Sequence, residues 1–567
     1  MNASRWYILL AAVSAVLGAL FLLPIALVVK GGFWVDGAFT LDYLLGVFRN
    51  PIYAEGLANS FAIAAGTTLL AMAIALPLAW ISHKYDFPGK ALFSALVLVP
   101  MILPPFVGAI GMTQLLGRYG VLNALLGTSV DWLGQARYAG VVAIQALALY
   151  PIAYLNASAA LANVDPAMEE AAANLGCPGW RRFFRITLPL IAPGLFAGGT
   201  IVFIWSFTEL GAPLMLNYTT CASVQVFDAL KEIGSSPFPY ALVFVVLACS
   251  TALYAVGKLV FGRGAHAMQG KAAVTFTPTR LRGVRALLPL APFVLVSLTA
   301  LLPHLGVIFT SFSQPGSWYG SVLPQAFTTA NYAEALGHDM TVLSIRNSLL
   351  FSSIAVFVNL GLGLAIAFIV VRSKVRGAAV LDAVAMIPLA VPGLVMAFGY
   401  LAISSWLANL GWVRDSALWT ALFDVRVNPT LFLVTAYAVR RLPYMVRSAA
   451  AGLQQTSETF EEAAANLGAA PFVSLRRITL PLITANLAAG VLLAFAFSML
   501  EVSDSLMLAQ QAQFYPITKT IYELFQLLGT GRYLASALGV WAMVFLTVAI
   551  LGTSLLLGRK MGAIFRV

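Results

Sequence analysis

Residues 169–191 read EEAAANLGCPGWRRFFRITLPLI, and residues 461–483 read EEAAANLGAAPFVSLRRITLPLI, 292 positions later. The first eight residues and the last seven are identical in the two copies, with a spacer of eight residues in each. A match of that length at fixed spacing makes the chain an internal duplication. Other landmarks repeat with it: Phe39-Thr40 and Asn59-Ser60 recur as Phe327-Thr328 and Asn347-Ser348, and Pro100 recurs as Pro388, all at an offset of 288. The larger offset at the loop places a four-residue insertion between these landmarks and the second copy.

Composition sets the class. The chain of 567 residues is 60% hydrophobic and only 10% charged, whereas soluble domains carry about 25% charged residues. It is therefore expected to be an all-α polytopic membrane protein. A hydrocarbon core of about 30 Å takes about 20 apolar residues per helical span. Twelve such stretches can be placed, at residues 6–29, 59–82, 91–115, 138–161, 192–216 and 240–260, then 287–310, 348–371, 379–401, 429–450, 485–508 and 534–557. Between the two sets, residues 263–286 mix Gly, Pro, Thr and basic residues without apolar periodicity and read as a connector. The expected organisation is a first half at 1–262, a basic linker at 263–286 and a second half at 287–567, with the repeated loops at 163–190 and 455–482. Six spans per half bring each half back to its starting side, so the halves are related by an axis along the membrane normal and both loops share one face.

The net charge of +11 does not point to a nucleic-acid partner. Arg5, Lys84, Lys90, Arg181, Arg182, Arg185, Arg372, Arg376, Arg476, Arg477, Arg559 and Arg566 fall at one side of the spans, as does the basic linker. Basic residues collect on the cytoplasmic side of membrane proteins, which puts both loops and both termini in the cytoplasm. The first apolar run exceeds the roughly 7–15 residues of a signal-peptide core and reads as a retained span. Cys177, Cys221 and Cys249 fall in a loop, on the opposite side and inside a span, so no disulfide is expected. His83, His266, His304 and His338 show no metal-ligand spacing. The Gly-Lys pairs precede Ala91, Leu259 and Ala272 rather than Ser or Thr, so the phosphate-binding loop of an ATPase is lacking.

Each repeated loop is expected to hold a short helix. Asp165 and Ser457 are good N-cap residues, Glu169, Glu170, Glu461 and Glu462 suit the positive end of the helix, and the alanines favour helix with a slim surface. Gly176 and Gly468 are expected to stop it at positive φ, and Pro189 and Pro481 to close the loop.

The pattern Glu-Ala-Ala, three residues, Gly, nine residues, Ile-x-Leu-Pro resembles the cytoplasmic EAA loop of ABC importer permeases. That resemblance implies a MetI-like permease fold and alternating access driven by a homodimer of ATP-binding subunits, with an extracytoplasmic substrate-binding protein, in the bacterial cytoplasmic membrane. It makes the loop helices the contacts to the ATPase, through Glu169, Glu170, Ala171, Ala172 and Gly176, and Glu461, Glu462, Ala463, Ala464 and Gly468. ATP and magnesium would belong to the partner subunits, with no cofactor in this chain. Two fused halves look most like the iron(III) and thiamine importer permeases. Ferric iron is the favoured cargo on architecture, with thiamine, phosphonate, sugar phosphate and polyamine as alternatives.

Glu209 and Glu501 are equivalent at offset 292, inside or near the expected spans 192–216 and 485–508. A carboxylate in a span normally faces protein or a water-filled path, so these two either line the pathway or serve as pore-rim and interhelical groups. Asp504 has Ala212 as its counterpart. Pro104 and Pro392, in proline-rich stretches that break their spans, are further pathway candidates. Gln145 and Asn156 read as interhelical ties. An ion-coupled secondary transporter can also have six plus six spans, but it has no use for two matched loops. A membrane enzyme lacks a catalytic constellation.

Overall fold

A polar cap and a proline start the second long helix. Asn50 Oδ1 accepts from the Ile52 amide at 3.0 Å, and Pro51 sits where no amide donor is needed. The helix Pro51–Lys84 then runs 34 residues, about 50 Å at 1.5 Å per residue. Its counterpart Asp339–Arg372 has the same length, capped by His338 Nδ1 accepting from Met340 N.

The computed structural model describes residues 3–557 except 36, 102–104, 135–136, 233–235 and 266–277. Among these, nine helices are long and apolar enough to cross a membrane: Ser4–Phe33, Pro51–Lys84, Tyr138–Ala162, Gly179–Phe207, Phe238–Val256, Gly283–Phe312, Asp339–Arg372, Pro471–Met499 and Gly531–Gly552. Two further apolar stretches are helix pairs bent at a short break, Lys90–Met101 with Pro105–Leu126 at 97° and Ala378–Leu389 with Gly393–Ala408 at 102°. The stretch expected at 429–450 forms the helix Thr430–Gln455. Arg440, Arg441 and Arg447 keep it from passing as an apolar span, yet it packs between Asp339–Arg372 and Leu480–Met499. The chain is thus an all-α polytopic membrane protein whose β-structure, among the described residues, is confined to two-residue pairings and an isolated bridge.

The first span of each half crosses to the other half. Leu23–Phe33 packs on Gly393–Ala408, where Gly399 lies so close to Pro24 that an added Cβ would come within 2.8 Å of it, and Tyr400 Oη donates to Leu20 O at 2.8 Å. The mirror contact sets Leu287–Phe312 on Pro105–Leu116, where a Cβ on Gly111 would sit 1.8 Å from Pro303 O. Gly111 and Gly399 are equivalent at offset 288, and close backbone approach at small residues is how membrane helices gain packing contacts. The largest core cluster accordingly mixes residues of both halves.

The repeated Asn-Ser pairs have a shared job. Asn59 Nδ2 donates to Thr220 O at 2.8 Å and Ser60 Oγ accepts from Ala222 N at 2.9 Å. Asn347 Nδ2 donates to Gln513 O at 2.9 Å and Ser348 Oγ accepts from Ile517 N at 2.8 Å. Each pair pins the start of a helix, Ala222–Asp228 or Ile517–Gln526, to the second span of its half. The prolines of the repeated loops do not close them. Leu188 N bonds back to Phe183 O and Leu480 N to Leu475 O through a π turn, and Pro189 and Pro481 sit in the first turn of the helix that follows. Proline has no N–H to lose there, so the helix runs on and the loop ends earlier, at Pro178 and Ala470. Of the expected linker, Thr279–Arg280 pairs in parallel with Tyr85–Asp86, and Leu281 N donates to Asp86 O at 2.8 Å.

Candidate functional site: two matched loops and a cavity at four helix breaks

The two loops are near copies in structure. Helix Pro166–Asn174 is capped by Asp165 Oδ1, which accepts from Ala167 N at 3.0 Å. In the second loop the helix is Thr459–Asn466, and Glu458, not Ser457, stands at the cap with helical backbone. Ser457 Oγ still accepts from Thr459 N at 3.3 Å. Pro166 holds Asp165 in extended backbone and starts the first helix at once, whereas Glu458, at the position equivalent to Pro166, stands just ahead of the second.

Both helices end alike. Gly176 and Gly468 take φ of 76° and 83°. Gly176 N and Cys177 N bond back to Ala173 O and Ala172 O at 2.9 and 3.0 Å, and Gly468 N and Ala469 N to Ala465 O and Ala464 O, both at 2.9 Å. This doubled return is the Schellman stop. The first glutamate of each pair turns inward: Thr187 Oγ1 donates to Glu169 Oε1 at 2.5 Å and Thr479 Oγ1 to Glu461 Oε1 at 3.0 Å. The identical ends of the two repeats are therefore bonded to each other. Ala172 and Ala464 are buried. Glu170, Glu462, Ala171 and Ala463 face outward, beside Leu175 and Leu467, exposed by 88% and 89%.

The second loop carries an extra tie. Arg372, at the end of Asp339–Arg372 and almost fully buried, lies 3.4 Å from Glu461 Oε1 and 3.6 Å from Glu458 Oε1, and donates to Thr456 O at 2.8 Å. Its counterpart Lys84 instead stacks over the Trp80 ring at 4.8 Å.

Away from the loops, a cavity of about 190 Å³ lies between the halves. It sits where chain breaks converge. Gly179–Phe207 stops before Gly211–Met215, and Pro471–Met499 stops before Ser503–Leu508, leaving Glu209 and Glu501 at the breaks rather than inside spans. The bent pairs add Pro100, Met101 and Pro105 on one side and Pro388, Leu389 and Pro392 on the other. Pro392 is thus a lining residue; Pro104 lies outside the described residues. The chain that follows the lining residues is buried in both halves, Leu210–Leu216 after Glu209 and Leu394–Ser404 after Gly393. Hydroxyls from the pinned helices hold the breaks: Ser223 Oγ donates to Glu209 O at 2.8 Å and Thr518 Oγ1 to Glu501 O at 2.7 Å.

Here the pseudo-symmetry fails. Glu501 is enclosed by two guanidinium groups: Arg440 Nη1 bonds its Oε1 and reaches Asp504 Oδ2 at 3.4 Å, while Arg441 Nη2 bonds its Oε2 and the Phe497 carbonyl, the latter at 3.1 Å. Two charges of each sign make this buried group formally neutral. Gly393 lets it assemble, because a Cβ there would lie 1.9 Å from Arg440 Nη1. In the first half the counterparts of Arg440, Arg441 and Asp504 are Ala148, Leu149 and Ala212. Glu209 has no basic partner among the described residues and accepts from amides of its own stretch of chain, Ala212 N at 3.3 Å and Gly211 N. Gln145 accepts from Ser206 and from Thr67 and is the interhelical tie expected, while also lining the cavity. Asn156 bonds its own helix at Ile152 O. Among the described residues no group of three or more His, Cys, Asp or Glu is placed to hold a metal ion.

Arg440 and Arg441 are the residues that span counting passes over. Superposing the halves at offset 292 exposes them, since adjacent arginines replace Ala148 and Leu149 three and two residues before the shared proline, Pro443 or Pro151.

Comparison with known proteins agrees with this architecture. The chain is 28% identical over 495 residues to the ferric transport system permease protein FbpB of Actinobacillus pleuropneumoniae, covering 81% of this chain and 64% of that one. It is 25% identical over 468 residues to the Fe(3+)-transport system permease protein FbpB 2 of Haemophilus influenzae, covering 82% of each. A stretch of 152 residues, 26% of this chain, is 36% identical to the molybdenum transport system permease protein ModB of Escherichia coli and spans 65% of it. The model of the family described as binding-protein-dependent transport system inner membrane component matches at residues 71–263 and again at 359–559, once in each half. With two copies of that component over most of its length, the chain belongs to the family of binding-protein-dependent transport system inner membrane components.

Proposed function

We propose that the chain is the complete membrane pathway of an ATP-driven importer of ferric iron, both halves of the translocation route being supplied by one polypeptide. The observation that carries the reading is the pair of loops. Each offers a short helix fixed from behind by a Glu–Thr bond, stopped by a glycine at positive φ, and presenting Glu170 and Leu175 or Glu462 and Leu467 outward. Two such surfaces related by a two-fold axis suit a two-fold partner, a homodimer of ATP-binding subunits that hydrolyse ATP with magnesium. When that dimer closes, the paired helices move together and the rigid helices Gly179–Phe207 and Pro471–Met499 carry the motion to the breaks at Glu209 and Glu501. Alternating access follows from rocking one half against the other. No bond is made or broken in this chain; it transmits force and encloses the path. An extracytoplasmic binding protein delivers the cargo on the face opposite the loops, in the bacterial cytoplasmic membrane with both termini cytoplasmic. The iron assignment is supported by the two relatives whose names carry ferric transport and which match both halves.

The test is ATPase activity of the complex reconstituted with its ATP-binding subunit and binding protein, with and without Glu170→Ala plus Glu462→Ala, while assembly is followed. Stimulation by the binding protein that disappears in the double variant, in a complex that still assembles, is the expected result. Failure of the wild-type chain to associate with any ATPase subunit overturns the reading and leaves a secondary transporter.

A further inference from the structure

We propose that Glu209, with the carbonyl end of helix Gly179–Phe207, forms a transit site for a hard metal cation, and that the pathway has one such site rather than two. The inference deepens the importer reading and rests on it for its meaning in transport. The argument comes from the second half, which shows what this local structure holds. There a glutamate at the helix break and the last carbonyls of Pro471–Met499 together take up positive charge: Arg441 bonds both Glu501 and Phe497 O, and Arg440 bonds Glu501 from the other side. The first half repeats the glutamate, the break and the carbonyl end, with Trp205 in the place of Phe497, and leaves out the arginines. Ala148 and Leu149 stand in their positions and line the cavity, so the space a guanidinium fills in one half is open to the cavity in the other.

Charge points the same way. Arg440 and Arg441 line the cavity with Glu209 and Glu501, and Asp504, outside the lining, pairs with Arg440 at 3.4 Å; the two arginines are thus balanced by Glu501 and Asp504, and Glu209 is the carboxylate left over. A carboxylate without a basic partner favours a cation, and the negative end of a helix adds to it. Of the lining residues in this half, Thr208 brings a hydroxyl, Gln145 has its Oε1 taken by Ser206 and Thr67 and its Nε2 unpartnered, and there is no Cys or His. Oxygen donors without sulfur or imidazole suit a hard cation. With a single carboxylate the site binds weakly, as a path must if its cargo is to leave.

The experiment uses the full chain in detergent micelles, without partner subunits, and terbium(III) as the probe. Trp205 lines the cavity, so bound terbium emits when tryptophan is excited. Saturable emission is expected in the wild type, strongly reduced by Trp205→Phe and competed by gallium(III). Glu209→Gln is expected to weaken terbium binding by about tenfold or more, while Glu209→Asp stays near the wild type. Ala148→Arg, which installs in the first half the guanidinium of the second, is expected to abolish it. No saturable emission dependent on Trp205, or terbium binding by Glu209→Gln and Ala148→Arg equal to that of the wild type, overturns the proposal. Because no ATPase takes part, this outcome is independent of whether the chain couples to one.

Discussion

Glu209 and Glu501 are the same residue at the same place in two copies of one fold, yet their removal should cost very different amounts. Glu501→Gln strips the carboxylate that faces Arg441 and Arg440. Arg441 is 9% exposed and keeps only uncharged contacts, to the carbonyl and ring of Phe497 and to Tyr444, while its Nε already has no partner among the described residues. Arg440 is left with Asp504 at 3.4 Å. Removing one partner of a buried ion pair costs about 3–5 kcal/mol, because the charge left behind stays buried. That is roughly two to nearly four decades in the unfolding equilibrium. Glu209→Gln keeps the shape and an acceptor for Ala212 N, and strands no basic group, so it should cost under about 1 kcal/mol. SDS-driven unfolding of the detergent-solubilised chain, followed by far-UV circular dichroism, measures both. A further variant isolates the cause. Arg440→Ala, Arg441→Leu, Glu501→Gln and Asp504→Ala together remove all four charges, and should cost less than Glu501→Gln alone, since removing a buried ionic group as a set avoids the stranded charge. Equal losses for Glu501→Gln and Glu209→Gln would refute the reasoning, as would a fourfold variant less stable than Glu501→Gln.

The loops should respond separately. Arg372→Gln cuts the ties to Glu461, Glu458 and Thr456, so amide exchange in Thr459–Asn466 should speed up by about tenfold, corresponding to about 1.4 kcal/mol of lost local stability, with Pro166–Asn174 unchanged. Gly393→Ala places a Cβ against the Arg440 guanidinium, and overpacking of this kind should lower stability by about 1–3 kcal/mol in the same SDS titration. Gly468→Ala meets open space but must hold φ at 83°; it should cost about 1–2 kcal/mol locally, read as faster exchange at Ala469. Ser348→Ala leaves the Ile517 amide buried without its acceptor, at about 1–3 kcal/mol, and should make the segment before Ile517–Gln526 a site of limited proteolysis.

Much of this protein is legible in its sequence because the signals are local or repeated. Apolar runs of span length announce a membrane protein, since a bilayer sets the length of its helices. The duplication at residues 169–191 and 461–483 announces two halves with two loops on one face. The glycine stops at Gly176 and Gly468 follow from backbone geometry that no other residue takes as readily. Other features were decided only by tertiary packing. The outward turn of Glu170 and the inward turn of Glu169 depend on Thr187, eighteen residues away, meeting it across the loop. The breaks at Glu209 and Glu501 fall inside apolar stretches that hydropathy reads as continuous, because the helix ends are satisfied by Ser223 and Thr518 from distant segments. The crossing of each first span to the other half rests on Gly111 and Gly399 meeting helices nearly two hundred residues or more away in sequence. Above all, sequence equates Glu209 with Glu501, and the fold separates them: long-range pairing with Arg440 and Arg441 neutralises one carboxylate, and only three dimensions show that the other is left facing the cavity alone.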